Sequence, residues 1–333
     1  MTINVQNNGA NLGDGQGFAT LKADGTTIVA TDDGNGVFEL SAAPVAPTTL
    51  DVASVNGMRL TLATGEPLPT SDITGATELY LTPDASGEIS LYDAGPAEWA
   101  IRRTVEVSLD LTTTALSPGV NFDVFAEWTG AAVSLVLVAW LNDTTRDIAL
   151  SRQDGVLVLS TNPERRYLGT LRGSTAGLGT CDDRQGARLL WNAYNQRPRF
   201  LSYVAPDASW TYAIMTWRRV NEGVMAADAT VECVVGLPCT LHAVARAMKQ
   251  GSVAGLVSAT GIGVNSTAAN SAQSYGVTSP TAAAGSFESH ARYRATVAPG
   301  YYALSWLEMA QPTVTTYGTN AAWQSGLDAE LLA

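Results

Sequence analysis

From Glu78 onward, short apolar runs and turn signals follow one another about every ten residues for some 250 residues, with one helical period among them. The stretch ELYLTPDASGEISLYD reads as two strands around a Pro/Asp/Gly turn. RRTVEVSLDL alternates, with Val105, Val107 and Leu109 on one side and Thr104, Glu106 and Ser108 on the other, the pattern of a strand with one buried face. AAVSLVLVAWL, residues 131–141, is apolar almost throughout and reads as a central strand covered on both faces. TYAIMTWRR, TVECVVGL, TLHAVARAM and YYALSWLEMA supply further strands. Such spacing predicts an all-β fold: a large jelly-roll-like β-sandwich over residues 76–333.

The first 75 residues are dominated by turn signals, NNGANLGDGQG, KADGTT, TDDGNG and AAPVAPTT, with short apolar runs between them. Asp-Gly and Asn-Gly steps favour hairpin turns because both central positions tolerate positive φ. A small N-terminal β-rich unit is therefore expected over residues 1–75, and residues 64–76, with two prolines and few large apolar groups, are the expected linker. Two folded units also suit a chain of 333 residues that is 46% hydrophobic.

The helical period lies at residues 182–195. Asp182 with Gln185 three residues later resembles a capping box, and Ala187, Leu190, Trp191 and Tyr194 fall on one helical face. Pro198 ends the segment. The expectation is one inserted helix that closes an end of the sandwich and buries Trp191, with Arg184, Arg188, Arg197 and Arg199 as its rim.

Charge excludes one class of partner. A formal net charge of −12 argues against a nucleic-acid backbone, whose phosphates need clustered cations. Lys22 and Lys249 are the two lysines, so nearly all positive charge is arginine, which suits fixed ion pairs and interfaces. The N-terminal residues lack the basic start and apolar core of a secretory signal, and no run approaches the roughly 18 apolar residues of a membrane span. The chain is expected to be soluble, made in the cytosol, with no membrane insertion. Cys181, Cys233 and Cys239 read as buried thiols, and with His242 and His290 they form no ligand set at zinc spacing.

Catalytic constellations are sparse. No G-x-S-x-G elbow occurs, and both histidines sit inside strand-like text. DDGNG lacks the ligand series of a calcium loop, and GDGQG and GIGVNS lack the strand-to-helix context of a phosphate loop, so all read as turns. The expectation is no catalytic residue, no metal and no cofactor. A carboxylate pair for glycoside hydrolysis, which would meet only in space, stays open. Most of the eight tryptophans should be core or interface residues. Residues 265–289, small, polar and almost uncharged, read as an exposed loop.

Several of these stretches resemble a known group in their order. FDVFAEW, LVAWLNDTTR, a DGV turn, RRYLGT, then WNAYN and an Arg-rich strand look like the receptor-binding or fibre-type structural proteins of tailed phages and of phage-derived gene transfer particles. The likeness covers roughly residues 76–220, and more loosely 290–330. What it implies is a virion structural protein: a head spike, fibre or tail-tip component at the particle surface, made in the bacterial cytoplasm. The leading expectation adds assembly with itself, a homotrimer before a pentamer, attachment to other virion proteins through the N-terminal region, and a contribution to binding host surface polysaccharide. Trp323, Tyr317 and Tyr275 are the candidate glycan or partner contacts. Two other expectations stand beside this one: a purely structural adaptor or decoration protein of the virion, and a capsule-degrading glycoside hydrolase.

Overall fold

The computed structural model describes residues 52–114, 116–222, 229–278, 285–319 and 324–333, and upstream of Val52 the backbone of three strands. The chain divides into two units, Met1–Val52 and Ala53–Ala333. In the first, Ala19–Ala23, Thr26–Asp32 and Phe38–Ala42 form an antiparallel sheet in sequence order. The residues expected to link the units, 64–76, lie inside the larger one. Pro67 and Pro69 are pinned there by arginines, the Pro67 carbonyl accepting Arg59 Nε at 2.9 Å and the Pro69 carbonyl accepting Arg199 Nη1 at 3.5 Å. Met58–Thr61 and Ile73–Ala76 also pair with strands of the larger unit, Glu78–Pro83 and Cys181–Arg184.

The larger unit is nearly all β, as its spacing predicts. One sheet is built on Asn121–Trp128, flanked by Val133–Asn142 and Asn162–Arg172. A second runs Val257–Val264, Gly300–Gln311, Thr230–Val235, Ala187–Arg188, Cys181–Arg184, Ile73–Ala76; a third runs Pro198–Val204, Gly326–Leu332, Cys239–Gly251, Ser286–Val297, Ser274–Tyr275. Consecutive strands switch between these last two sheets: Cys239–Gly251 lies in the third, Val257–Val264 in the second, Ser286–Val297 in the third and Gly300–Gln311 in the second. This alternation closes the two sheets over one interior.

Side-chain periodicity explains how the interior fills. Along Cys239–Gly251, Leu241, Ala243, Ala245 and Ala247 point inward, a column small enough to leave room for Trp306 and Trp210, whose rings meet edge to face at 5.8 Å. The core beside Asn121–Trp128 is instead aliphatic, with Met58, Leu60, Leu79, Leu81, Ile89, Leu91, Val124 and Leu171 all buried. Each such side chain contributes about 1.5–3 kcal/mol relative to exposure.

The inserted helix expected at residues 182–195 is absent. Those residues form the strands Cys181–Arg184, Ala187–Arg188 and Leu190–Asn192. Asp182 does not cap a helix; its Oδ1 accepts Gly75 N at 2.8 Å, across the sheet. Leu189, off the supposed helical face, is as buried as Leu190 and Trp191; Leu190 enters one core cluster and Trp191 the other, so cover on both faces overrides local propensity. The expected burial of Trp191 does hold, and its Nε1 donates to the Leu332 carbonyl at 2.9 Å. Val133–Asn142 also differs from expectation. It lies next to the sheet margin, and Leu141 is 65% exposed. The three cysteines are free thiols, and burial pushes all three above the ordinary thiol range.

Candidate functional site

The outer face of the second sheet forms the floor of a wide groove. In Thr230–Val235, Val231 and Cys233 face the core, which turns Thr230 and Glu232 outward. On the neighbouring strand Gly300–Gln311, Ser305 stands opposite Thr230 and Ala303 opposite Glu232. The Thr230 and Ser305 hydroxyl oxygens are 3.1 Å apart.

Two walls rise from this floor. On one side the turn after Val257–Val264 brings Asn265, Ser266, Thr267 and Ala268 over the edge. Asn265 has φ of 51°, and its side chain and backbone hold Ala303 from both sides at 2.8 Å. A Cβ at Gly263 would stand 2.0 Å from the Ser266 carbonyl oxygen, so only glycine lets the turn fold back on its own strand. On the other side stand Arg184, Gln185 and Gly186, then Ser202, Tyr203 and Val204 of the Pro198–Val204 strand. Gln185 joins these parts, its N–H donating to Asp72 Oδ1 at 2.8 Å while its carbonyl accepts Ser202 N at 2.9 Å. The groove has a cavity volume of about 1020 Å³.

Tyr301 anchors one end. Its N–H donates to the Asp143 carbonyl at 3.0 Å, and the Arg172 guanidinium stacks on its ring at 3.7 Å. Arg172 in turn bonds Asp143 Oδ1 at 2.7 Å and Asn121 Oδ1 at 2.8 Å. Burial, followed by hydrogen bonding to the Glu232 carboxylate, pushes the Tyr301 phenol well above its ordinary range, so it stays a donor. Two of the groove carboxylates already accept a hydrogen bond, Asp72 from the Gln185 N–H and Asp143 from Arg172. Such a surface suits a neutral, hydroxyl-rich ligand, which needs many paired donors and acceptors and no strong net charge. Among the described residues, no group of three or more His, Cys, Asp or Glu could hold a metal ion.

The candidate contacts named from sequence fall elsewhere. Tyr275 is 46% exposed, its ring edge to face with Trp217 at 5.7 Å. Tyr317 lies on Val314–Tyr317, and its hydroxyl donates to Gln250 Oε1 at 2.6 Å. Neither lines the groove. Trp323 lies outside the described residues. Of the groove residues that sequence reasoning missed, Thr230 and Glu232 carry a signal, the outward polar positions of TVECVV. Tyr301 carries none.

No protein-family profile and no characterised protein sequence matches this chain. Among solved structures, it is similar to the insecticidal delta-endotoxin Cry8Ea1 from Bacillus thuringiensis, at 8% identity and a TM-score of 0.21, over 85% of this chain and 55% of the endotoxin. It is also similar to a structure of infectious bursal disease virus, Gx strain, at 13% identity and a TM-score of 0.23, over 95% of this chain and 68% of that one. The chain thus spans just over half the length of the endotoxin. At these TM-scores neither alignment bears on function.

Proposed function

We propose that this protein is a structural component of a phage-like particle, presented in several copies, and that its groove binds host surface polysaccharide. The observation that carries the reading is the open polar groove floored by Thr230, Glu232, Ser305 and Tyr301. Its volume of about 1020 Å³ reaches the upper end of small-molecule sites, about 300–1,000 Å³, which leaves room for several sugar rings. The order of sequence stretches over residues 76–220 supports placing the chain on a particle, with the N-terminal unit as its attachment. Weak sites repeated on one particle hold a surface far more tightly than a single copy.

The hydrolase reading has one observation in its favour, since Asp72, Asp143 and Glu232 line the same groove. Asp72 and Asp143 are already held by the Gln185 N–H and by Arg172, which suits them to a fixed ligand-holding wall. A glycan array of host surface oligosaccharides tests the proposal. Wild type is expected to bind at least one class, and Glu232→Ala with Ser305→Ala to weaken that binding tenfold or more. New reducing ends after incubation would favour the hydrolase. Silence on the array, with tight binding to a particle protein alone, would favour the adaptor.

A further inference from the structure

The third sheet has a second outward face, sorted by charge. On Cys239–Gly251, Leu241, Ala243, Ala245 and Ala247 are buried and His242, Val244 and Arg246 face outward. Gly326–Leu332 lies along one side and Ser286–Val297 along the other, and their registers run straight across. Glu330, His242 and Arg294 form one row, and Asp328, Val244 and Arg292 the next. An acidic column, Asp328 and Glu330, therefore runs parallel to a basic column, Arg292 and Arg294, with one strand between them. Arg246 pairs with Asp328 at 3.2 Å. Arg292 and Arg294 are exposed and make no ion pair among the described residues. Phe200, on the strand beyond the acidic column, is 61% exposed, and Leu332, at the end of that column, is 48% exposed.

Charge order decides what such a face fits. Two copies stacked face to face about a two-fold axis lying across the strands would set the acidic column on itself and the basic column on itself. An axis running along Cys239–Gly251 exchanges left for right, so each acidic column lies over a basic one, twice per pair. The same axis lays Ser202 of one copy over Ser274 of the other, since these flank the Asp328–Val244–Arg292 row on opposite sides. Ser274 borders a hollow of about 530 Å³ with Gly276, His290 and Arg292, open to the apolar margin of the second copy.

We infer that this face is where a second copy of the chain docks, with Glu330 and Asp328 of one copy on Arg294 and Arg292 of the other. The inference deepens the proposed function by naming a partner; the contact takes in Ser202 of the groove wall, while the floor residues Thr230, Glu232, Ser305 and Tyr301 lie on the second sheet, outside it.

Sedimentation of the full chain at low and high salt tests it. Wild type is expected to form a two-fold pair that loosens as salt screens the columns. Arg294→Glu and Glu330→Arg are each expected to weaken self-association at least tenfold. Mixed together they should recover a one-to-one pair, because the altered columns again match. Folding of each variant is read from its circular dichroism, and recovery in the mixture itself requires folded partners. A wild type that stays monomeric at low salt, or forms trimers or pentamers, overturns the inference, as does a mixture that fails to pair. Array binding by the monomeric variants separates this outcome from the groove, whose residues they leave untouched.

Discussion

Two regions of the larger unit bury charge in opposite ways. In the sheet built on Asn121–Trp128, Asp123 is gripped by the Arg146 fork at both oxygens and by Thr170 at 2.7 Å, and Arg146 also reaches the Gly236 carbonyl at 2.6 Å. Nearby, fully buried Arg166 places Nη1 among the Ala53, Val55 and Ser90 carbonyls at 2.8–3.0 Å, with the Tyr194 ring 4.8 Å from its guanidinium carbon. In the sandwich, buried Glu308 accepts Arg218, Asn221 N and Trp210 Nε1. Lys249, equally buried, finds Ser258 Oγ at 3.1 Å and the Ala259 carbonyl at 2.8 Å. A planar fork spreads its charge over several acceptors and stacks on rings, whereas a compact ammonium relies on a few close oxygens. Burial accordingly lowers the Lys249 pKa to about 8, against the pull of Glu308.

Three substitutions put that contrast under strain. Asp123→Ala should have the largest effect, since it leaves the Arg146 guanidinium buried without its carboxylate, at about 3–5 kcal/mol in urea unfolding. Arg166→Lys comes next. The shorter lysine side chain draws its donor back from the Ala53, Val55 and Ser90 carbonyls, and leaving them unsatisfied should cost about 2–3 kcal/mol by the same measurement. Lys249→Met should change stability least at pH 7, being neutral or slightly stabilising, because a buried cation is exchanged for a side chain of similar volume. A loss as large as that of Asp123→Ala would erase the difference between the two regions.

The pH dependence sharpens the last case. Folded Lys249 releases its proton near pH 8 and the unfolded side chain near 10.5. Between those values the unfolded state holds more protons, so stability rises with pH, by about 1.5 kcal/mol from pH 8 to 9.5. Below pH 8 the full cost of the buried cation is in place. Lys249→Met should lack this rise, which paired urea titrations at the two pH values would reveal.

Local rules carried the fold further than the site. Period-two alternation in TLHAVARAM marks the inward column of Cys239–Gly251, and that column is where the text places it. The same rule misjudges Val105, which is 79% exposed because the ladder resumes only at Val107–Asp110. Helical spacing in ARLLWNAY was misleading for a related reason: a segment covered on both faces buries residues at every offset, including the helical ones. Asp72, Asp143, Glu232, Asn265 and Tyr301 come from distant parts of the chain, and what gathers them is the order of strands within sheets. Likewise, the outward positions of Arg292, Arg294, Asp328 and Glu330 can be read from alternation. That Cys239–Gly251 lies between them cannot, because long-range pairing leaves no mark on a local pattern.

Gly326–Leu332 fills the slot between Pro198–Val204 and Cys239–Gly251, making seven residue pairs with the first and five with the second. Both neighbours leave the ribosome well before it does. A growing polypeptide therefore carries two bare edges until Gly326–Leu332 arrives, and during synthesis those edges are open to pairing with other nascent chains.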